Sequence, residues 1–312
     1  VKNYLQKYLV LLLKGMGMGA ADVVPGVSGG TIAFITGIYE ELVNSIKSIN
    51  AGALKLFFSG RWKAFWKHIN GNFLLAVFAG IFISVLSLAR ILEYLLVNHP
   101  ILIWAFFFGL ILASSYIVSK KVGKWNYTAV AGIVAGTGLA VFITSVTPAT
   151  TTDAFWFVFL SGALASCAMI LPGISGSFIL LLLGKYAFAL HAVNERIFMD
   201  LLLLGGGAVV GIISFANLLS WLLRKHHDVT IAVLVGFMIG SLNKIWPWKE
   251  TLETILVEGE LRPLVEKNVL PVAGNADDRF WMALLMAAIG IGIILVIELV
   301  LSGNREKKSA ES

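Results

Sequence analysis

Two stretches, ADVVPGVSGG at 21–30 and AMILPGISGS at 168–177, place proline, glycine and hydroxyl side chains inside sequence that is otherwise apolar. Pro25 and Pro172 remove a backbone donor and disfavour helix one residue earlier, so Val24 and Leu171 are expected to be extended. Gly26, Gly29, Gly30, Gly173 and Gly176 permit tight backbone and leave amides uncovered. Helices are expected to restart near Thr31 and Phe178, offering free N–H groups and the positive end of a helix dipole. Ser28, Thr31, Ser175 and Ser177 add hydroxyl donors. Ser28, Gly29, Gly30, Thr31, Ser175, Gly176 and Ser177 together would form an anion cradle needing little formal charge, with phosphate its natural guest. The competing reading is that small residues let helices pack closely.

Charges near these breaks are few, and each costs at least ~2.5 kcal/mol at the centre of a spanning helix. Arg90 is a candidate phosphate ligand, or it pairs with Glu93 three residues on. Asp22, Glu40, Glu41 and Glu93 are candidates for proton coupling or gating. Symmetry does not demand Asp22, since the second stretch has Met169 at that position. Glu298 is expected to snorkel or pair locally, and His99 and His226 to lie at helix ends. No His/Glu cluster has metal-ligand spacing, so neither metal nor cofactor is expected. GMGMGAADVVPG lacks the Gly-Lys-Ser/Thr of a P-loop.

The elements that must hold these residues are membrane helices. The chain is 58% hydrophobic and 13% charged with a mean hydropathy of +0.86, an all-α polytopic membrane composition. Apolar windows of about 20 residues recur at 73–89, 101–118, 129–146, 201–223, 230–245 and 280–301, giving about six full transmembrane helices. The net charge of +6 points to loops that meet anionic lipids, not to nucleic acid. The single cysteine, Cys167, excludes an internal disulfide. Residues 1–13 read as mature structure, not a signal peptide.

Laying 13–39 over 160–186 matches 10 of 27 residues, and 80–115 over 207–242 matches 10 of 36. The chain therefore reads as two repeats, 1–146 and 147–303, with a tail at 304–312. The first holds a re-entrant hairpin at 5–46, an inserted interfacial amphipathic segment at 50–70 and transmembrane helices over 72–146. The second holds a hairpin at 154–192, transmembrane helices over 200–246, an outer loop at 247–279 and a last helix at 280–302. Lysines and arginines at 47–67, 120–124, 224–225 and 305–308 mark the cytoplasmic side, where both termini are expected. The two hairpins then enter from opposite sides, each as two helices of roughly 16 residues joined at the break. Inverted repeats around broken helices are the architecture of secondary transporters, with the substrate near the midplane.

DVVPGVSGGTIAFITGIYEELV and MILPGISGSFILLLLGKY resemble the PopT-type polyprenyl-phosphate translocases, a bacterial membrane family formerly known as a domain of unknown function. The resemblance covers nearly the whole chain. It implies return of undecaprenyl phosphate from the outer to the inner leaflet of the bacterial cytoplasmic membrane, recycling the carrier for peptidoglycan and other envelope polymers. The second motif continues GKYAFAL where the first has GIYEEL, so a symmetric role for Glu40 is in doubt. Two alternatives remain: a transporter of a small soluble anion, and a phosphatase like those acting on undecaprenyl pyrophosphate. The phosphatase motif carries an arginine where this chain has Gly29 or Gly176, and its glutamate-rich partner is missing here.

Overall fold

The computed structural model describes residues 2–24, 27–148, 151–257, 260–271 and 279–310. The described residues are mostly helical, with one β-hairpin among them. The first half runs α1 (Lys2–Val23), α2 (Gly29–Ile35), α3 (Tyr39–Lys47), α4 (Ala51–Phe58), α5 (Trp62–His68), α6 (Gly71–Asn98), α7 (Pro100–Ser119) and α8 (Tyr127–Ser145). The second runs α9 (Phe155–Ile170), α10 (Gly176–Leu182), α11 (Tyr186–Asn194), α12 (Phe198–Lys225), α13 (His227–Ser241), β1 (Lys249–Val257), β2 (Glu260–Asn268) and α14 (Phe280–Ala310).

Among the described residues five helices are long and apolar enough to cross a membrane: α6, α7, α8, α12 and α14. This is a multi-pass membrane protein. The helix expected over 230–245 is α13, whose 15 residues span only about 22 Å at 1.5 Å per residue.

The order of elements repeats, and so does their local geometry. α2 and α10 each have 7 residues, α3 and α11 each 9, and α6 and α12 each 28. The two long helices end at His99 (φ −136°, ψ 49°) and His226 (φ −135°, ψ 52°). Helix crossings use matched glycines. A Cβ on Gly15 or Gly80 would strike backbone across the α1–α6 crossing, and one on Gly162 or Gly207 would do so across α9–α12. Gly109 and Gly290 play that part between α7 and α14, and Gly136 and Gly236 between α8 and α13. Lipid offers helices no hydrophobic drive to associate, so close van der Waals approach at small residues supplies it. The last two pairings join the halves: α7 and α8 find their main partners in α14 and α13.

The helices that follow the breaks differ from the expected single helices of roughly 16 residues. In each half the helix stops after 7 residues, turns, and restarts as a second helix. Gly37 (φ 73°) and Gly184 (φ 64°) cause the stop. Each is the left-handed residue of a Schellman cap: Gly37 and Ile38 N–H donate to Phe34 and Ala33 carbonyls, and Gly184 and Lys185 N–H to Leu181 and Leu180. α11 consequently leaves α10 at 109°.

The segment expected as an outer loop contains an antiparallel hairpin, β1 on β2, paired from Lys249 opposite Asn268 to Val257 opposite Glu260, with a register irregularity at Glu253. Asn268 Nδ2 donates to Asn243 O at 2.8 Å and Trp246 Nε1 to Val269 O at 2.9 Å, which ties the hairpin to the end of α13. At the opposite end of α13, Asp228 accepts from Gly123 and Lys124 N–H at 3.0 Å each, clipping the α7–α8 turn. α4 and α5 expose Phe58, Trp62 and Trp66 beside lysines, a surface suited to a lipid interface.

Candidate functional site

The site begins where α1 and α9 end. Pro172 leaves Leu171 extended at φ −69°, ψ 126°. Pro25 and Gly26, the other half of the expected helix break, lie outside the described residues. Helix resumes at Gly29 and Gly176, two residues earlier than expected, because Ser28 and Ser175 are N-caps in extended backbone. Ser28 Oγ accepts from Gly30 N–H at 3.1 Å, and Ser175 Oγ accepts from Phe178 N–H at 3.4 Å while lying 2.7 Å from Ser177 Oγ.

The two breaks touch directly. Ser28 Oγ donates to Met169 O at 3.2 Å, Gly173 N–H donates to Thr31 Oγ1 at 3.1 Å, and Tyr39 OH donates to Ile170 O at 3.0 Å. Ser28, Thr31, Tyr39, Gly173, Ser175 and Gly176 are all buried. A Cβ on Gly30 would lie 2.6 Å from Ile170 O, so this contact tolerates no side chain. The carbonyls of Met169 and Ile170 are among those a helix C-terminus leaves unsatisfied, and the first break satisfies them.

This arrangement corrects the expectation of free amides at the first break. Gly29 N–H donates to Asp22 Oδ1 at 2.7 Å, Gly30 N–H to Ser28 Oγ, and Thr31 N–H to Ser28 O at 2.9 Å. A carboxylate from α1 thus sits where an external anion would be received. Asp22 contacts the first break through Gly29, which the unmatched Met169 in the repeat did not signal.

Arg90 is exposed on α6, and among the described residues no hydrogen bond at the breaks includes it. The side chain of Glu93 is outside the described residues. Glu41 accepts from Asn70 Nδ2 at 2.9 Å, and exposed Glu40 lies 3.7 Å from His227 Nε2, so both serve contacts at the periphery.

Three lysines also meet the short helices: Lys121, read from sequence only as a topology signal, Lys185, only as a motif departure, and Lys14, which the sequence reading did not single out. Lys14 Nζ donates to Thr36 O at 2.6 Å and Lys121 Nζ to Phe34 O at 3.1 Å, placing cations on the carbonyl end of α2. Lys185, 1% exposed, pairs with Asp153 at 2.5 Å just past α10. Their signal was position: each follows or faces a short helix that ends inside the protein.

Two cavities adjoin α13 and the residues that follow it. One, of about 270 Å³, lies between the ends of α8 and α13, α10 and the β-hairpin, with polar lining from Thr144, Asn243, Lys244 and Lys249. The other, of about 530 Å³, is an apolar groove lined by Leu112, Tyr116, Ile133, Ile239 and Leu295. The consecutive residues Leu242 and Asn243 line the groove and the polar cavity respectively.

The chain matches the VCA0040-like family, described as undecaprenyl phosphate translocase-like, over residues 18–262. It is 46% identical over 301 residues to a polyprenyl-phosphate transporter of Vibrio cholerae, covering 95% of this chain and 96% of that one. It is 34% identical over 254 residues to a polyprenyl-phosphate transporter of Staphylococcus aureus, covering 76% and 85%. No solved structure matches it.

Proposed function

The chain belongs to the undecaprenyl phosphate translocase-like family, and from that premise we propose that it carries undecaprenyl phosphate from the outer to the inner leaflet of the bacterial cytoplasmic membrane. The carrier is thereby returned for envelope synthesis. The phosphate crosses at the paired breaks, whose halves enter from opposite sides as an inverted repeat. The prenyl tail stays in lipid or in the apolar groove. A polar cavity next to an apolar groove favours an amphiphile over a small soluble anion.

The observation that carries this reading is the brace between breaks: Ser28 to Met169, Gly173 to Thr31 and Tyr39 to Ile170. Each of these hydrogen bonds is worth about 0.5–1.5 kcal/mol net, so parting the halves costs roughly 1.5–4.5 kcal/mol. Bonds to a charged phosphate are worth about 1.5–3 kcal/mol each, so two or three of them offset that cost. Once parted, Ser28, Thr31 and the Gly173 amide are available to a phosphate, as are Gly29 and Gly30 when Asp22 and Ser28 release them. Alternating access follows if the brace opens first toward one leaflet and then toward the other. Release of Asp22 from Gly29 is the step at which a proton would couple to movement, with Glu40 and Glu41 as peripheral candidates.

The test is transport of labelled undecaprenyl phosphate by the purified protein in proteoliposomes, with phosphate release followed in the same tube. Translocation without release is expected, slowed in the Ser28→Ala/Ser175→Ala double variant. An undiminished rate in that variant overturns the site. Stoichiometric phosphate release overturns transport in favour of hydrolysis.

A further inference from the structure

The polar cavity beside α10 holds a cluster that no part of the brace uses. Lys244 Nζ and Lys249 Nζ both reach Glu266 Oε2, at 3.0 and 3.4 Å. Lys249 is only 7% exposed along its side chain and lies 4.1 Å from the centre of the Trp104 ring. Lys244 lies 5.3 Å from the Phe178 ring on α10. Lys267, Asn243 and Asn268 complete the polar rim. Lys244 and Lys249 against Glu266 leave a net positive charge at the cluster, the sign needed to draw in a phosphomonoester, which carries about −1.5 to −2.

Holding two ammonium groups on one carboxylate oxygen, partly out of water, is a poor arrangement for stability alone, because desolvation of each charge offsets most of the attraction. It is a good arrangement for receiving a second anion, since the cations are already gathered and part of their hydration already lost. The cavity, about 270 Å³, accommodates a phosphate and several waters at roughly 30 Å³ per water. Its wall includes Phe178, whose N–H is held by Ser175, so it opens directly beside the second break.

We propose that this cavity is a capture site for a phosphate head group, bound by Lys244 and Lys249 with Asn243, and that Glu266 holds the lysines in place until the anion arrives. Resting on the reading above, the anion is the head group of a polyprenyl phosphate in the outer leaflet, taken up here before the brace opens. No covalent step is involved.

The experiment is isothermal titration of the full-length chain in detergent with farnesyl monophosphate and, separately, with inorganic phosphate. Binding is expected to weaken at least tenfold in Lys244→Gln/Lys249→Gln and to tighten several-fold in Glu266→Gln, which frees both lysines. A merely structural cluster would weaken binding in both variants. That result, or an affinity unchanged by the lysine substitutions, overturns the proposal. Tighter binding of farnesyl monophosphate assigns the site to a lipid head group, whereas equal affinities assign it to soluble phosphate. Proteoliposome transport separates the two ideas. Lysine-dependent binding without wild-type transport leaves the cavity and removes the translocase reading, and transport with lysine-independent binding does the reverse.

Discussion

Removing the Ser28 hydroxyl deletes the N-cap of α2 and one strut of the brace together. Loss of the cap costs about 0.5–2 kcal/mol, and leaving Met169 O without its donor adds about 1–3 kcal/mol. Ser28→Ala is therefore expected to lower the thermal midpoint in detergent, and Thr31→Val, which strands the Gly173 amide, to do so comparably. Lys249 yields a pH prediction. Burial pushes its ammonium down to about 8, with Glu266 opposing the shift and Lys244 adding to it. Burial raises the Glu266 carboxyl, but Lys249 and Lys244 together hold it below its ordinary value. Phosphate binding to the cavity should accordingly fall as pH rises through about 8, in step with loss of the Lys249 charge. The sign for folding is opposite. Between about 8 and the ordinary lysine value of 10.5 the unfolded chain binds more protons than the folded one, so this group adds stability as pH rises. At this scale the hydroxyls of Ser28 and Ser175 were legible in the sequence, because polar residues at a helix break stand out against apolar surroundings. Their partners were not, since Met169 and Ile170 contribute main-chain carbonyls that leave no mark on side-chain pattern.

Among elements, the short helices α2 and α10 decide the shape of the centre. Their left-handed terminal residues are glycines, and an alanine there carries a strain of about 1–2 kcal/mol. Gly184→Ala should lower thermal stability by that amount or straighten the turn between α10 and α11, which a spin-label distance across Leu183 would report. The sequence disclosed the breaks at proline but not these second turns, because an apolar window averages across a single glycine. It disclosed the long helices well, since their composition leaves little else to form. The hairpin escaped because β1 and β2 are rich in charge. Yet the glycine at 259, between runs containing threonine, isoleucine, leucine and valine, is a sequence cue that could have pointed to it. The cavity lysines escaped with it, since only the hairpin returns Glu266 to Lys249.

For the whole molecule, the brace and the four glycine crossings describe two halves that meet at their breaks and exchange partners farther out. Movement at the centre must therefore leave the outer pairs, α7 with α14 and α8 with α13, either intact or moving as blocks. A disulfide introduced between α7 and α14 near Gly109 and Gly290 should preserve transport, whereas one joining Thr31 to Gly173 should abolish it until reduced. The exchanged pairing also governs how the protein is made. The ribosome delivers α7 and α8 to the membrane well before their partners exist, with crossing glycines facing lipid until the second half is inserted. Assembly thus waits on the last helix out. A chain ending before Phe280 should insert normally yet be cleared quickly by membrane proteases, and pulse-chase labelling should show the full-length protein gaining protease resistance only after synthesis of α14 is complete.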